Sequence, residues 1–180
     1  MRLRRVRPGA GGYAGAHCKL GGARCHDHVP LRGLTEIVQR RGGDCREIFE
    51  KNAIQPRALV DDDSHIDCEA LVNVLECCSE SFGDPLFGVH LGDHQEHDVF
   101  GCVTTLARAA PTFEAGVQCL IDYIPLINSP EGGLDIMKGE LASELRWTSS
   151  FNYPRQSNYQ GMALFVNMLR MLGGRAFRPN

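Results

Sequence analysis

A chain of 180 residues with 43% hydrophobic and 23% charged residues has the length and apolar content for one globular domain with a real core, which excludes disorder of the whole chain. Nowhere do eighteen apolar residues run together, and the Arg-rich start leads into Gly and Ala instead of an apolar signal core, which argues against membrane spanning and secretion and for a cytoplasmic protein. The net charge of −3 is unevenly divided: residues 1–30 carry six bases and one acid, leaving 13 bases against 21 acids for the rest, and so acidic a body is a poor partner for duplex DNA by itself.

Residues 1–30 hold Gly9, Gly11, Gly12, Gly15, Gly21 and Gly22 and show no apolar periodicity. They read as a disordered basic tail, because they cannot bury enough surface to offset the entropy of ordering. An organelle-targeting peptide and an over-extended start codon both fit that composition. The globular part is expected over 31–180. Leu34, Ile37 and Val38 suit a short helix stopped by Gly42-Gly43, and Asp44 caps the next, with Glu47 three residues on and Ile48 and Phe49 as its buried contacts. After Pro56 and the acidic run Asp61 to Asp63, Ser64 or Asp63 caps a long helix whose Ile66, Leu71, Val74, Leu75, Cys78 and Phe82 form one stripe. Gly83 ends that helix, and Gly92 closes the short segment after it. Val99 to Ala109 reads as a helix. Thr112, behind Pro111, caps another that sets Phe113, Val117, Leu120, Ile121 and Ile124 on one face. Leu134 to Gly139 and Leu141 to Thr148 alternate apolar and polar residues about a Gly139-Glu140 turn, which predicts an antiparallel hairpin that needs helices or further strands to lean on. The last helix, from about Gln156, is broadly apolar as far as Gly173-Gly174. The predicted class is α+β and mostly helical, with several packed helices and a small antiparallel hairpin or sheet.

Candidate chemistry is sparse. Cys68, Cys77, Cys78, Cys102 and Cys119 fall inside apolar helical patterns and are expected as free thiols acting as small hydrophobes. Cys18, Cys25, His26 and His28 are soft ligands close in sequence, yet their spacing is not that of a zinc finger and they sit in the tail, so no metal site is assigned. His90, His94 and His97, with Asp93, Glu96 and Asp98, would align on a helix as a metal or pH sensor; the plainer reading is a polar, solvent-facing loop. No nucleophile stands beside a base, and neither a phosphate-binding glycine loop nor a G-x-S-x-G elbow occurs. The chain is therefore not expected to be an enzyme or to carry a cofactor.

The order Gly-Asp-Pro-Leu-Phe-Gly-Val-His-Leu-Gly over 83–92, the run from Phe100 through Pro111-Thr-Phe-Glu to Tyr123, and then a hairpin and a helix resembles the N-terminal effector-sensing region of AraC-type transcriptional regulators, in their helix-rich, arabinose-binding-like class. The resemblance extends from near Leu31 to the end of the chain. It implies a sensory domain that binds a small-molecule effector in a pocket between helices and a small sheet. Occupancy would be relayed, by conformational change or dimerisation, to a DNA-binding unit or a partner copy in a homodimer. Such pockets are mostly apolar with a few polar groups, which points to Phe87, Phe100, Tyr123 and Trp147 as effector-lining residues. The family continues into further strands and a C-terminal domain with two helix-turn-helix motifs. This chain ends at Arg178-Pro-Asn180 without them, so a C-terminally truncated sensor with no DNA-binding domain is expected; the alternative is a stand-alone interaction module that dimerises with full-length regulators. The same order of elements also looks distantly like haem-based gas sensors, but Thr112 to Ser129 contains no histidine to serve as axial ligand.

Overall fold

The computed structural model describes residues 2–6, 24–25, 31–55, 66–124, 132–140, 143–149, 155–174 and 176–178. Strand β1 is Arg2–Val6 and β2 is Arg24–Cys25; helix α1 covers Leu34–Arg40 and α2 Cys45–Lys51. The turn between the two helices needs Gly42 at φ 76°. Asp44 caps α2 as expected, its carboxylate accepting the Arg46 N–H at 2.8 Å, while Glu47 reaches forward to Lys51 at 2.7 Å instead of back to the cap.

Helix α3, Cys68–Ser81, starts later than the sequence suggested. Its N-cap is Asp67, which accepts the amides of Glu69 at 2.8 Å and Ala70 at 3.4 Å and so satisfies two otherwise orphaned donors at once. Asp63 and Ser64 lie outside the described residues. Ile66 belongs to β3, Ile66–Asp67, paired antiparallel with β2. Helix α4, Phe87–His94, runs through Gly92, where a boundary was expected. The predicted helix from Val99 divides into a 3₁₀ turn, His97–Phe100, and α5, Cys102–Ala109. The break falls at Gly101, at φ 54° and ψ −127°, a conformation open to glycine and strained for other residues. Thr112 caps α6, Phe113–Tyr123, its hydroxyl accepting the Ala115 N–H at 3.1 Å.

The hairpin is present as β4, Gly132–Lys138, and β5, Ser143–Ser149, with Leu134 opposite Trp147 and Ile136 opposite Leu145. Strand β1 adds in parallel to the other edge of β5, giving the order β1-β5-β4. Two pieces of the stretch read as an unstructured tail, β1 and β2, are thus strands: a strand edge offers backbone partners that no local pattern in the tail reveals. The remainder of residues 1–30 lies outside the described residues. The last helix, α7, spans Arg155–Gly173, and Gly174 follows it at φ 82°. The whole is mostly helical α+β, and among the described residues no helix is long and apolar enough to cross a membrane.

The stripes bury in two places. Leu34 and Val38 of α1, Phe49 of α2, Val74, Leu75 and Cys78 of α3, and Phe87 and Leu91 of α4 form one core. Val103 and Ala107 of α5, Val117 and Leu120 of α6, Leu134 and Leu145 of the sheet, and Phe165, Met168 and Leu169 of α7 form the other.

Candidate functional site

The two cores meet along α4 and α7, and the contact is built from small residues and amides. Gly88 and Gly92 are one turn apart on α4. A Cβ on Gly88 would overlap the carbonyl oxygen of Gln156, and one on Gly92 would lie 2.7 Å from both the Gln160 carbonyl oxygen and the Ala163 methyl. The helices therefore touch backbone to backbone, which only glycine permits at those positions. Into this gap α7 directs Gln156, fully buried, and Gln160, 4% exposed. The Gln156 side chain accepts the Gly88 N–H at 2.8 Å and donates to the Ser79 hydroxyl at 3.0 Å and the Pro85 carbonyl at 3.1 Å. Its backbone N–H donates to the Glu76 carboxylate at 2.7 Å, so α3 supplies negative charge at the start of α7, where the helix dipole favours it. Gln160 donates to the Gln95 side chain at 2.9 Å, Gln95 donates to the Arg32 carbonyl at 2.9 Å, and Asn167 donates to the Gly92 carbonyl at 3.3 Å. Buried amides of this kind are tolerable only when so fully paired. Composition gave no hint of them; the readable signal was the matching four-residue spacing of Gly88 with Gly92 and of Gln156 with Gln160.

A second polar cluster ties α1 to the turn before α4. Asp84 accepts from Arg41 at 2.6 Å, from the His90 ring at 2.7 Å and from the Leu86 N–H at 3.0 Å. Burial raises the carboxyl pKa, but the hydrogen bonds from His90, Arg41 and Leu86 outweigh it and hold Asp84 below its ordinary value. The Arg41 guanidinium also lies 5.2 Å from the centre of the Phe87 ring and 5.8 Å from that of Phe82, two rings stacked 6.1 Å apart. His90 and His94 stand on a helix and not in the loop expected for them, because the glycines that suggested a break are used for packing. His94 lies against Gly33, and the side chains of His97 and Asp98 are outside the described residues.

The structure does not gather the four expected effector-lining aromatics. Phe87, 0% exposed, is in the first core; Phe100, 6% exposed, is in the second. Trp147 is half-buried against the second core, edge-on to Phe165 at 5.2 Å with its ring over Gly161 of α7. Tyr123, 42% exposed, ends α6. A shallow recess of about 270 Å³ opens instead where α5 turns into α6 beside the end of α7, walled by Ala107, Arg108, Pro111, Phe113, Met171 and Leu172. The sequence marked Pro111 and Thr112 only as a helix start. Gly116 makes the corner tight, since a Cβ there would sit 2.9 Å from the Ala107 carbonyl oxygen.

Residues 42–180 match the family described as the arabinose-binding domain of AraC transcription regulators, N-terminal. The chain belongs to this family. It is also similar to the HTH-type transcriptional regulator VirS of Mycobacterium tuberculosis, in strain CDC 1551 / Oshkosh and in strain ATCC 25618 / H37Rv, at 26% identity over 149 residues in each case. The match takes in 80% of this chain and 44% of VirS, so the chain spans less than half the length of the curated relatives it matches. For this member of the AraC arabinose-binding family, the glycine punctuation over 83–92 has a structural purpose: two of those glycines admit α7.

Proposed function

We propose that the chain is a ligand-sensing regulatory domain of an AraC-type transcription regulator, which binds a small-molecule effector and relays its presence through a change of arrangement or of dimerisation. The family match over residues 42–180 is the observation that carries this reading. The role is one of recognition and not of catalysis. DNA contact falls to a helix-turn-helix domain of the kind the relatives are named for, in keeping with the acidic balance of residues 31–180 and with a cytoplasmic setting. Among the expected lining aromatics, Trp147 suits an effector best: it is half-buried, offers a flat apolar face and carries an N–H donor, whereas Phe87 and Phe100 would support the site as core. A ligand that prefers one arrangement stabilises it in proportion to its differential affinity, so the domain should answer its effector by melting higher. A thermal-shift screen across a metabolite panel tests this, read by the emission of Trp147, the only tryptophan of the chain. A class of compounds that raises the midpoint and alters the emission supports the sensor. Concentration-dependent association with a full-length regulator, with no compound shifting the midpoint, points to the stand-alone interaction module instead.

A further inference from the structure

Among the described residues the two apolar cores have no member in common. Between them lie the amides of Gln95, Gln156, Gln160 and Asn167, the glycines of α4, and Ala163. The chain passes from the first core to the second at Gln95-Glu96, and Gln95 holds the passage from both sides, bonding the Arg32 carbonyl on the first and Gln160 on the second. We propose that Leu31–Gln95 and the assembly of α5, α6, α7 and the β4–β5 hairpin are two separate cooperative units, and that the α4–α7 seam is the joint across which the domain changes shape. The division into units is independent of the sensing role; the use of the joint to relay an effector rests on that role.

The chemistry of the contact separates the two kinds of cohesion. Each core is held by apolar burial, which is non-directional and scales with the area removed from water. Each unit also has roughly the 60 residues at which small domains fold alone. At the seam, glycines and Ala163 bring the two backbones together, and paired amides hold them through directional hydrogen bonds, each with a modest net contribution and each lost on a small displacement. Opening it lets water satisfy every amide concerned, whereas opening either core exposes Leu75 or Leu120, both buried. Arg41, Asp84 and His90 lie within the first unit and do not cross the seam.

The experiment is native-state hydrogen exchange in increasing sub-denaturing urea on the wild type and on Gly88→Ala, with the full chain in both cases. The alanine methyl would overlap the Gln156 carbonyl oxygen, a backbone atom, and so must push α7 off α4 while touching neither core. In the wild type, amides of α3 and of α6 should follow two distinct urea dependences. In Gly88→Ala, exchange near Gly88 and Gln156 should speed up by about tenfold or more, with that around Leu75 and Leu120 changing by no more than about threefold. Gln160→Ala, which removes the link to Gln95 without a wedge, should act in the same sense more mildly. Merged urea dependences in the wild type would overturn the proposal, as would equal acceleration in both units. A Gly88→Ala chain without protected amides in either core would overturn it too, because two self-sufficient units must survive the loss of their joint.

Discussion

Replacing Gly161 with alanine sets two opposed effects against each other. Gly161 lies inside α7, where alanine should gain about 0.5–1 kcal/mol in helix stability through reduced chain entropy. The new methyl would, however, lie 2.6 Å from Cη2 of Trp147, about 1 Å inside an ordinary carbon–carbon contact. The indole is rigid and the α7 backbone is held by the second core on one face and by the seam with α4 on the other, so the ring must swing away. That motion costs about 1–3 kcal/mol for overpacking and breaks the edge-to-face pair with Phe165, 5.2 Å between centres, worth about 0.5–1.5 kcal/mol. The expected net effect is destabilisation by about 2 kcal/mol, within about 0.5–4 kcal/mol. Urea unfolding followed by Trp147 emission should show an earlier midpoint, and the native emission should shift to the red as the ring gains solvent. In a Trp147→Leu background the collision is absent, so Gly161→Ala should become neutral or stabilising, a coupling that a double-mutant cycle reads directly when all four chains are followed by far-UV circular dichroism. If Gly161→Ala raises stability in the wild type and leaves the emission where it was, Trp147 does not rest on α7 and the account of the sheet–helix layer is wrong.

Thr112→Ala should lower stability by about 1 kcal/mol by freeing the Ala115 N–H at the start of α6, while Thr112→Ser should retain most of the cap; a loss equal in both would refute the capping role. Asp84, held below its ordinary value of 3.8, contributes stability that is present above that pH and lost as pH falls through its lower folded value. Asp84→Asn should therefore be less stable than the wild type near pH 6 and lose less on acidification toward pH 3, as measured by urea midpoints over about pH 3–6. Burial pushes the Cys78 thiol up to about 12, whereas Cys102 is exposed. A disulfide reagent at neutral pH should label Cys102 at once and Cys78 only as the protein opens, and prompt labelling of Cys78 in the native state would count against its place in the first core.

Features fixed by neighbours in sequence were legible in it. The caps at Asp44 and Thr112, the stop at Gly42, the α3 stripe and the presence of the hairpin follow from backbone chemistry within a few residues. The expected Gly139-Glu140 turn does not hold: Lys138 pairs with Ser143, two residues beyond the register that turn would set. What the sequence left unread depends on remote partners. Gly92 looks like punctuation until Gln160 and Ala163 stand against it, and the edge of β5 that receives β1 is more than a hundred residues away from it. The aromatics were grouped by residue type, but type does not say which core a ring enters, and Phe87 and Phe100 went to different ones. The family-defining pattern was readable as a pattern, while the amides of Gln156 and Gln160 that give it purpose were hidden in a helix that otherwise reads as apolar.

Helix α7 answers to both units. One face, with Leu164, Phe165, Met168 and Leu169, is committed to the second core, and the face with Gln156, Gln160, Ala163 and Asn167 is held by α3 and α4 of the first. A displacement of the second unit therefore cannot avoid working against the seam. Six hydrogen bonds with net contributions of about 1 kcal/mol each give the seam a strength of about 6 kcal/mol, of which an allosteric coupling free energy of about 1–3 kcal/mol is a fraction. An apolar joint of the same extent would fuse the units into one core, and a solvated joint would transmit nothing. Paired amides against glycine occupy the interval between these limits: strong enough to fix one register of α7 and, under the sensing role proposed above, weak enough for the differential affinity of an effector to shift it.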